Sequence, residues 1–214
     1  MITDALEYPL KNNIVDYFVG GFLWSIGIMF IAPLIGLYGY YVKVLENNIN
    51  NIDYPPKFTD ISVKNILIDG ISYSTIMAIY WVIGITVIAL GVLISVFINE
   101  LILYLIVLFL SLITIFFVRY MIRASVLIYS DEKIFSKCFS PNKLYSILFS
   151  TKFFKTNIVL FLIPIIGFFI GFVLFLIPFI GFLFTMFVIF FLPVVVFYYS
   201  VFKLKYISQT YNKI

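Results

Sequence analysis

The sequence predicts an all-α integral membrane helical bundle, with about five transmembrane helices and short interfacial helices in one domain, residues 1–214. Hydrophobic residues make up 64% of the chain and charged residues 11%, against about 45–50% and about 25% in soluble domains. Long apolar runs without charges recur, and lysines and arginines gather at their ends. A soluble domain of this length could not bury that much apolar surface, so lipid is the expected solvent.

Apolar runs define the predicted spans, because about 20 residues cross the hydrocarbon core of a bilayer. The five spans are about 17–42, 71–98, 101–122, 158–177 and 180–202. The last two come from one uncharged run, Ile158–Phe202, which would be roughly 68 Å long as a single helix and must therefore fold back. We place the reversal at Leu176–Gly181, which contains a proline and a glycine. The short Asn99–Glu100 connection predicts another hairpin.

The first segment has two interpretations. It carries no charge between Asp16 and Lys43, so it can cross the membrane once. Alternatively, Pro33, Gly36 and Gly39 can make it re-entrant, which would leave the N-terminus on the cytoplasmic side.

Charge placement predicts the orientation of the five-span arrangement. Thirteen of the 14 lysines and arginines fall in the first and third loops and the tail, and Lys11 alone falls on the other side. Positive residues concentrate in cytoplasmic loops. The sequence thus predicts a multi-pass protein of the cell membrane with its N-terminus outside and its C-terminus in the cytoplasm.

Two loop segments, 59–69 and 131–157, are predicted to be interfacial helices on the cytoplasmic side. The second has aromatic and aliphatic residues at helical spacing, with lysines on its other face. Within it, Ser140 followed by Pro141 is typical of a helix start. The first is expected to end at Asp69–Gly70.

The most suggestive ligand-binding feature is a pair of arginines, Arg119 and Arg123, which share one helical face. Guanidinium groups bind phosphate through two parallel hydrogen bonds. The alternative is that both arginines only anchor the span at the headgroups, with acidic partners among Asp60, Asp69 and Asp131. The residues predicted to contact anionic lipid or a partner are Arg119, Arg123, Lys133, Lys137 and Lys143.

A Pro-x-Ile-Gly pattern occurs three times, at Pro33–Gly36, Pro164–Gly167 and Pro178–Gly181. Proline and glycine mark kinks, which occur in transporters and in inert bundles. Gly167 and Gly171 are predicted to be helix-packing residues, because small residues four apart let a neighbouring helix approach.

Catalytic, cofactor-binding and metal-binding residues are predicted to be absent. The chain has no histidine and one cysteine, and no pair of acids lies within a predicted span. We therefore expect no enzyme activity and no cofactor. The net charge of +4 follows from the positive loops, so nucleic-acid binding is not expected.

The order of several short motifs resembles that of a known family. The matching residues are Tyr8-Pro9, Gly39-Tyr40, Lys43-Val44, Pro56-x-Phe58, Asp69-Gly70, Arg119-Tyr120, Phe135, Phe139 and Tyr206-Ile207-Ser208-x-x-Tyr211. The chain resembles an uncharacterised family of polytopic membrane proteins, found mainly in archaea and some bacteria and described as a domain of unknown function. The resemblance implies a helical membrane protein and assigns no functional residue.

Three functions fit these observations. The leading hypothesis is a non-enzymatic membrane module that binds membrane lipids or other membrane proteins. The alternative is a small transporter or permease-like subunit, suggested by the proline- and glycine-broken segments. The third is an enzyme acting on lipid headgroups, with Arg119 and Arg123 as phosphate contacts. The oligomeric state is open.

Overall fold

Helices form nearly all of the structure, a computed structural model that describes residues 2–11, 14–27, 31–98, 101–175 and 178–212. The helices are α1 (Ile2–Leu10), α2 (Ile14–Gly27), α3 (Ile31–Ile49), α4 (Val63–Ile98), α5 (Leu101–Glu132), α6 (Pro141–Leu148), α7 (Thr151–Phe175) and α8 (Pro178–Tyr211). Phe58–Asp60 and Phe135–Phe139 form 3-10 turns. These residues contain no β-strand, so the predicted all-α class is confirmed.

Four helices are long and apolar enough to cross a membrane. They are Val63–Ile98, Ile102–Glu132, Thr151–Val173 and Phe191–Tyr211. In their most apolar stretches, only 11% of the α4 residues and 6% of the α5 residues are buried inside the protein. Large side chains such as Phe97 and Phe109 are exposed. An apolar surface of this extent is stable only in an apolar solvent, so the chain is a membrane protein.

Residues 17–42 do not form one span, which corrects the five-span prediction. Gly20 of α2 lies against Phe197 and Gly21 against Val194, so α2 runs antiparallel to α8. In α3, the Tyr40 ring lies 5.7 Å from that of Phe197, and farther along α3 the backbone of residues 48 and 49 meets the end of α8, so α3 runs parallel to it. The segment therefore turns back on itself as an α2–α3 hairpin, in agreement with the re-entrant alternative.

The α2–α3 hairpin ends well short of the far end of α4. Gly39 packs against Ile66, and Gly70 packs against Ile35, so α3 and α4 are antiparallel. Since Ile35 lies level with Gly70 and the helices are antiparallel, the first residue of α3, four residues before Ile35, lies level with Ser74, four residues after Gly70. About 24 residues of α4 then remain before its last residue, which is roughly 36 Å of helix.

The two ends of the described chain lie at the same end of the bundle, whereas the five-span prediction places the N-terminus and the C-terminus on opposite sides of the membrane. The Tyr198 hydroxyl in α8 donates a 2.7 Å hydrogen bond to the Leu6 carbonyl in α1. The Lys205 ammonium lies 4.5 Å from the ring centroid of Tyr8. The physical reason is the α2–α3 hairpin, which returns the chain to the side where it began. We call the end of the bundle where α1 packs against the C-terminal half of α8 the charged end.

The two predicted hairpins of long helices are confirmed. Gly84 of α4 lies against Val118 of α5, and Gly91 lies against Val107, so these helices are antiparallel. Helices α7 and α8 are antiparallel as well, with contacts between Thr156 and Thr210 and between Leu160 and Tyr199. The predicted turn at residues 99–100, and residues 176–177 of the predicted reversal, lie outside the described residues. Gly181 lies within α8 rather than in a turn.

The predicted interfacial segment 59–69 is not a separate helix. Its second half is the beginning of α4, which continues through Asp69 and Gly70 to Ile98. Gly70 does not end the helix but lets it approach α3: a Cβ atom there would lie 1.9 Å from the Ile35 carbonyl oxygen. Glycine serves close backbone approach as well as helix ends.

The other interfacial segment, 131–157, contains the 3-10 turn Phe135–Phe139, the short helix α6 and the first residues of α7. The helix start at Ser140 and Pro141 is confirmed, with proline in the first turn of α6. Helix α5 continues ten residues beyond the predicted end at residue 122, to Glu132. It continues because residues 124–130 are buried within the charged end.

Several hydroxyl groups in the long helices form hydrogen bonds within their own helix or with the neighbouring one. The hydroxyls of Thr86 and Ser111 donate to carbonyls of their own helices at 2.8 and 2.7 Å. Tyr80 and Ser125 share a 2.8 Å hydrogen bond between α4 and α5. Unpaired polar groups are costly in hydrocarbon, so these bonds suit helices that contact lipid.

Candidate anionic-ligand site

A cavity of about 380 Å³ lies between α3, α4, α5 and α8 at the charged end. Tyrosines from α3 and α4 form one wall, where the Tyr38 and Tyr73 rings stack with centroids 4.7 Å apart. Met77 and Trp81 continue this wall along α4. The cavity thus has a broad apolar and aromatic surface, as is usual in ligand sites.

Three cationic side chains also line the cavity. Arg119 and Arg123 come from α5, one helical turn apart, and Lys203 comes from α8. None of the described residues that line the cavity is acidic. None of the ion pairs between described residues includes these three side chains. The cavity therefore holds uncompensated positive charge, which an anion would stabilise.

Arg123 is held in position by a buried amide. Its Nη1 donates a 2.6 Å hydrogen bond to Oδ1 of Asn157, which is fully buried in α7. The Asn157 Nδ2 in turn donates to the Phe153 carbonyl at 2.8 Å, which fixes the direction of the amide. One edge of the Arg123 guanidinium is therefore occupied, and its other donors are left for a ligand.

The predicted acidic partners of the arginines are wrong. Asp69 accepts hydrogen bonds from Tyr129 and Lys133, both at 3.0 Å. Asp131 accepts from Tyr211 at 2.8 Å, and Asp60 accepts from the adjacent Thr59 at 3.0 Å. These three carboxylates accept hydrogen bonds from other side chains, and the two arginines line the cavity instead.

The five residues predicted to contact anionic lipid separate into two groups. Arg119 and Arg123 line the cavity, whereas the three lysines form ion pairs elsewhere. Lys133 pairs with Glu46 and Asp69 at 2.9 and 3.0 Å, Lys137 pairs with Glu132 at 2.6 Å, and Lys143 also pairs with Glu132. Each of the three lysines has an acidic partner within the chain, Lys137 and Lys143 sharing one carboxylate, so the structure does not add them to the cavity.

Lys133 belongs to an ion-pair network that joins α3, α4 and the end of α5. Lys43 and Lys133 both lie within 4 Å of Glu46 and of Asp69. Burial opposes the charge of Glu46, but the hydrogen bonds and charges of the two lysines outweigh it and hold the pKa of Glu46 below its usual value. Two cations and two anions balance, so this network stabilises the fold rather than binding an anion.

Lys203 is the cavity residue that the sequence analysis missed, because it was assigned to the C-terminal tail. The sequence nevertheless contains a pattern that could have placed Lys203 on a helix face. Ser200, Lys203, Leu204 and Ile207 recur at the spacing of one helical face, and all four line the cavity.

Gly167 has no close neighbour among the described residues, and the packing role of Gly167 and Gly171 stays a prediction. A Cβ atom on Gly167 would have no described neighbour within 4 Å. Gly171 is half-buried. Close helix approaches occur at Gly39 and Gly70, and at Gly84, where a Cβ atom would lie 2.6 Å from a Val118 methyl group.

The chain's one cysteine, Cys138, should be protected from thiol reagents in the folded protein. Its side chain is fully buried beside α5, and burial raises the pKa of Cys138 to about 11. At pH 8 only about one thiol in a thousand would be ionised, and the thiolate is the nucleophile. We expect maleimide at pH 8 to label Cys138 only after denaturation, as mass spectrometry would measure.

The matched control for this experiment is a Ser136→Cys, Cys138→Ser variant, because Ser136 lies in the same turn and is exposed. Its new thiol should react rapidly in the folded protein. Equal labelling rates for the two proteins would contradict the burial of Cys138.

The fold and cavity together define a class: an all-α membrane protein with an uncompensated cationic cavity at one end of the bundle. The model of the family described as "Protein of unknown function (DUF4013)" matches residues 22–179. The chain belongs to this family, which confirms the resemblance seen in the sequence. No curated protein and no solved structure matches the chain.

Proposed function

We propose that the protein is a multi-pass protein of the cell membrane with a non-enzymatic role, the binding of an anionic membrane lipid in its cationic cavity. The observation that carries this proposal is the convergence of Arg119, Arg123 and Lys203 on one cavity without an acidic lining residue. Membrane lipids are the proposed partners, and other membrane proteins are a further class that the exposed helix faces permit. The proposal includes no nucleic-acid partner and no cofactor.

The depth of the cavity supports a lipid as the ligand. The charge-free run Leu101–Val118 of α5 is about 27 Å long, close to the roughly 30 Å of a hydrocarbon core. Arg119 directly follows this run and would lie at the headgroup level. Trp81 lies near the same level, since Gly84, one turn farther along α4, packs against Val118. Tryptophan favours this level of the membrane, so the cations and the lipid phosphates would meet.

The charges also support an orientation. Every described lysine and arginine belongs to a segment at the charged end, including Lys11, which lies with Lys205 around a second, smaller cavity. Under the positive-inside rule this end faces the cytoplasm, together with both chain termini. Protease protection of tags at either terminus in sealed inverted vesicles would test this orientation. Protection of the N-terminal tag alone would contradict it.

Binding, rather than catalysis, suits the lining residues. The described residues that line the cavity include no histidine, cysteine or carboxylate, the side chains that most often act as acids and bases in catalysis. The tyrosines and arginines of the cavity can hold a headgroup, but a hydrolytic reaction would require an activated nucleophile.

The proposal can be tested with an Arg119→Gln, Arg123→Gln double variant. Glutamine can still donate to Asn157, so local packing is kept while two charges are removed. We expect the wild-type protein in mild detergent to retain anionic lipid, and the variant to bind it at least about tenfold more weakly, because a hydrogen bond to a charged group contributes about 1.5 kcal/mol or more. Native mass spectrometry with phosphatidylglycerol would measure both.

The matched control is a Lys64→Gln, Lys155→Gln variant, which removes two exposed cations from the same end without touching the cavity. It should bind lipid as the wild-type protein does. Equal binding by the control and the arginine variant, or no binding by the wild-type protein, would refute the proposal.

A small transporter or permease-like subunit is the second candidate, and the broken first segment favours it. Helix α3 of the α2–α3 hairpin contributes Tyr38 and Tyr41 to the cavity wall, and discontinuous helices beside a midplane site are typical of transporters. Reconstitution in liposomes separates the two candidates. Anion flux that depends on Arg119 would support transport, whereas lipid binding without flux would exclude it.

A further inference from the structure

We infer that the cavity selects lipids whose headgroup ends in a phosphate monoester over lipids with a phosphodiester headgroup. The inference rests on the proposed lipid-binding function and specifies the ligand of the same site. It is carried by the number of charges, the number of hydrogen-bond donors and the chemistry of the remaining lining residues.

The charges match a dianion better than a monoanion. Arg119 and Arg123 bring two permanent positive charges to the cavity, and the Lys203 amine beside them can carry a third when an anion is bound. A phosphodiester such as that of phosphatidylglycerol offers one negative charge. A phosphate monoester carries about 1.5 to 2 negative charges at pH 7, and nearby cations favour its fully ionised form. A monoester therefore compensates more of the charge in the cavity.

The hydrogen-bond donors of the cavity also favour a phosphate monoester. Each guanidinium has five N–H donors and the Lys203 ammonium has three, while Asn157 accepts from only one nitrogen of Arg123. A phosphate monoester presents three terminal oxygens that accept strongly, whereas a phosphodiester presents two. The third oxygen gives Lys203, which faces the arginines from α8, an acceptor of its own.

The other lining residues favour a lipid without a positive headgroup. No carboxylate lines the cavity, so the ammonium of an ethanolamine or choline lipid would meet only cations and aromatic rings. Beyond the cations, the cavity is lined by apolar residues such as Leu34, Met77 and Trp81. A phosphate fills only part of a cavity of about 380 Å³, and the apolar part suits the first carbons of the lipid chains.

The experiment compares lipids with identical dioleoyl chains bound to the delipidated full-length protein: phosphatidic acid, phosphatidylglycerol and phosphatidylcholine. At pH 7.5 we expect phosphatidic acid to bind at least about tenfold more tightly than phosphatidylglycerol, the factor that 1.4 kcal/mol produces, and phosphatidylcholine to bind most weakly. At pH 5 the preference should shrink, because the monoester loses its second charge near pH 6. Native mass spectrometry would measure the affinities.

Lys203 is the residue that should produce the preference. A Lys203→Gln variant should still bind phosphatidylglycerol but prefer phosphatidic acid less than threefold. A Lys203→Arg variant keeps the charge and should restore the preference, which separates a loss of selectivity from a loss of folding. The exposed Lys64→Gln control should leave the preference unchanged.

Each outcome distinguishes the two proposals. Equal binding of phosphatidic acid and phosphatidylglycerol would overturn the monoester preference and leave the lipid-binding function intact. Binding of neither lipid would overturn both. Inorganic phosphate serves as the probe for a free anion: if it binds as tightly as phosphatidic acid, the ligand is not a lipid and both proposals fail.

Discussion

An Asp69→Ala variant should lose about 2–4 kcal/mol of unfolding free energy, because it leaves two lysines without their shared anion. Asp69 is buried in α4, and its carboxylate lies 3.0 Å from the Lys133 ammonium and 3.6 Å from that of Lys43. Tyr129 also donates to it at 3.0 Å. The expected loss is below that for a fully buried pair, since both lysines are partly exposed and can reach water.

Unfolding in a mixed-detergent titration would measure this loss. The matched control is Asp60→Ala, which removes an exposed carboxylate from the 3-10 turn before α4. It should change the unfolding free energy by no more than about 0.5 kcal/mol. If the Asp69 and Asp60 variants were equally stable, the ion-pair network would have no structural role.

Gly39→Ala and Gly70→Ala variants should each be destabilised by about 1–3 kcal/mol or more, because they force α3 and α4 apart. A Cβ atom on Gly39 would lie 1.9 Å from the Ile66 carbonyl oxygen, and one on Gly70 would lie equally close to the carbonyl oxygen of Ile35. Both obstacles are backbone atoms, which cannot turn away as a side chain can. The measurement is the thermal midpoint of unfolding in detergent.

Gly36→Ala is the control for this pair of substitutions, since Gly36 lies one turn before Gly39 in the same helix. A Cβ atom there would meet no described atom within 4 Å. Alanine favours helix over glycine by up to about 1 kcal/mol, so this variant should be slightly more stable than the wild-type protein. Destabilisation of Gly36→Ala as large as that of Gly39→Ala would contradict the close approach of α3 and α4.

The long helices were predictable because their physical cause is local. A charge-free run of sufficient length forms a helix in lipid whatever its neighbours are, so α4, α5, α7 and α8 follow from the charge pattern. The α2–α3 hairpin was not predictable in the same way. An apolar run such as 17–42 has the same composition whether it continues straight or folds back, and its contacts with Phe197 lie far away in the sequence.

The candidate site was partly predictable for a similar reason. Arg119 and Arg123 share a face because they are four residues apart, and this spacing is visible in the sequence. The acidic partner of Lys133 could not be predicted because it depends on tertiary structure: Lys133 meets Asp69 across 64 residues of chain. The Asp69–Gly70 pattern predicts a helix end, since a local pattern cannot show that another backbone lies beside Gly70.

The α2–α3 hairpin gives the molecule a wedge shape. Near Tyr40, the helices α2 and α3 of the hairpin pack beside α4 and α8. Near Ile98, the α2–α3 hairpin adds no helix to the cross-section of the bundle. The protein therefore displaces more area from the leaflet at its charged end than from the opposite leaflet.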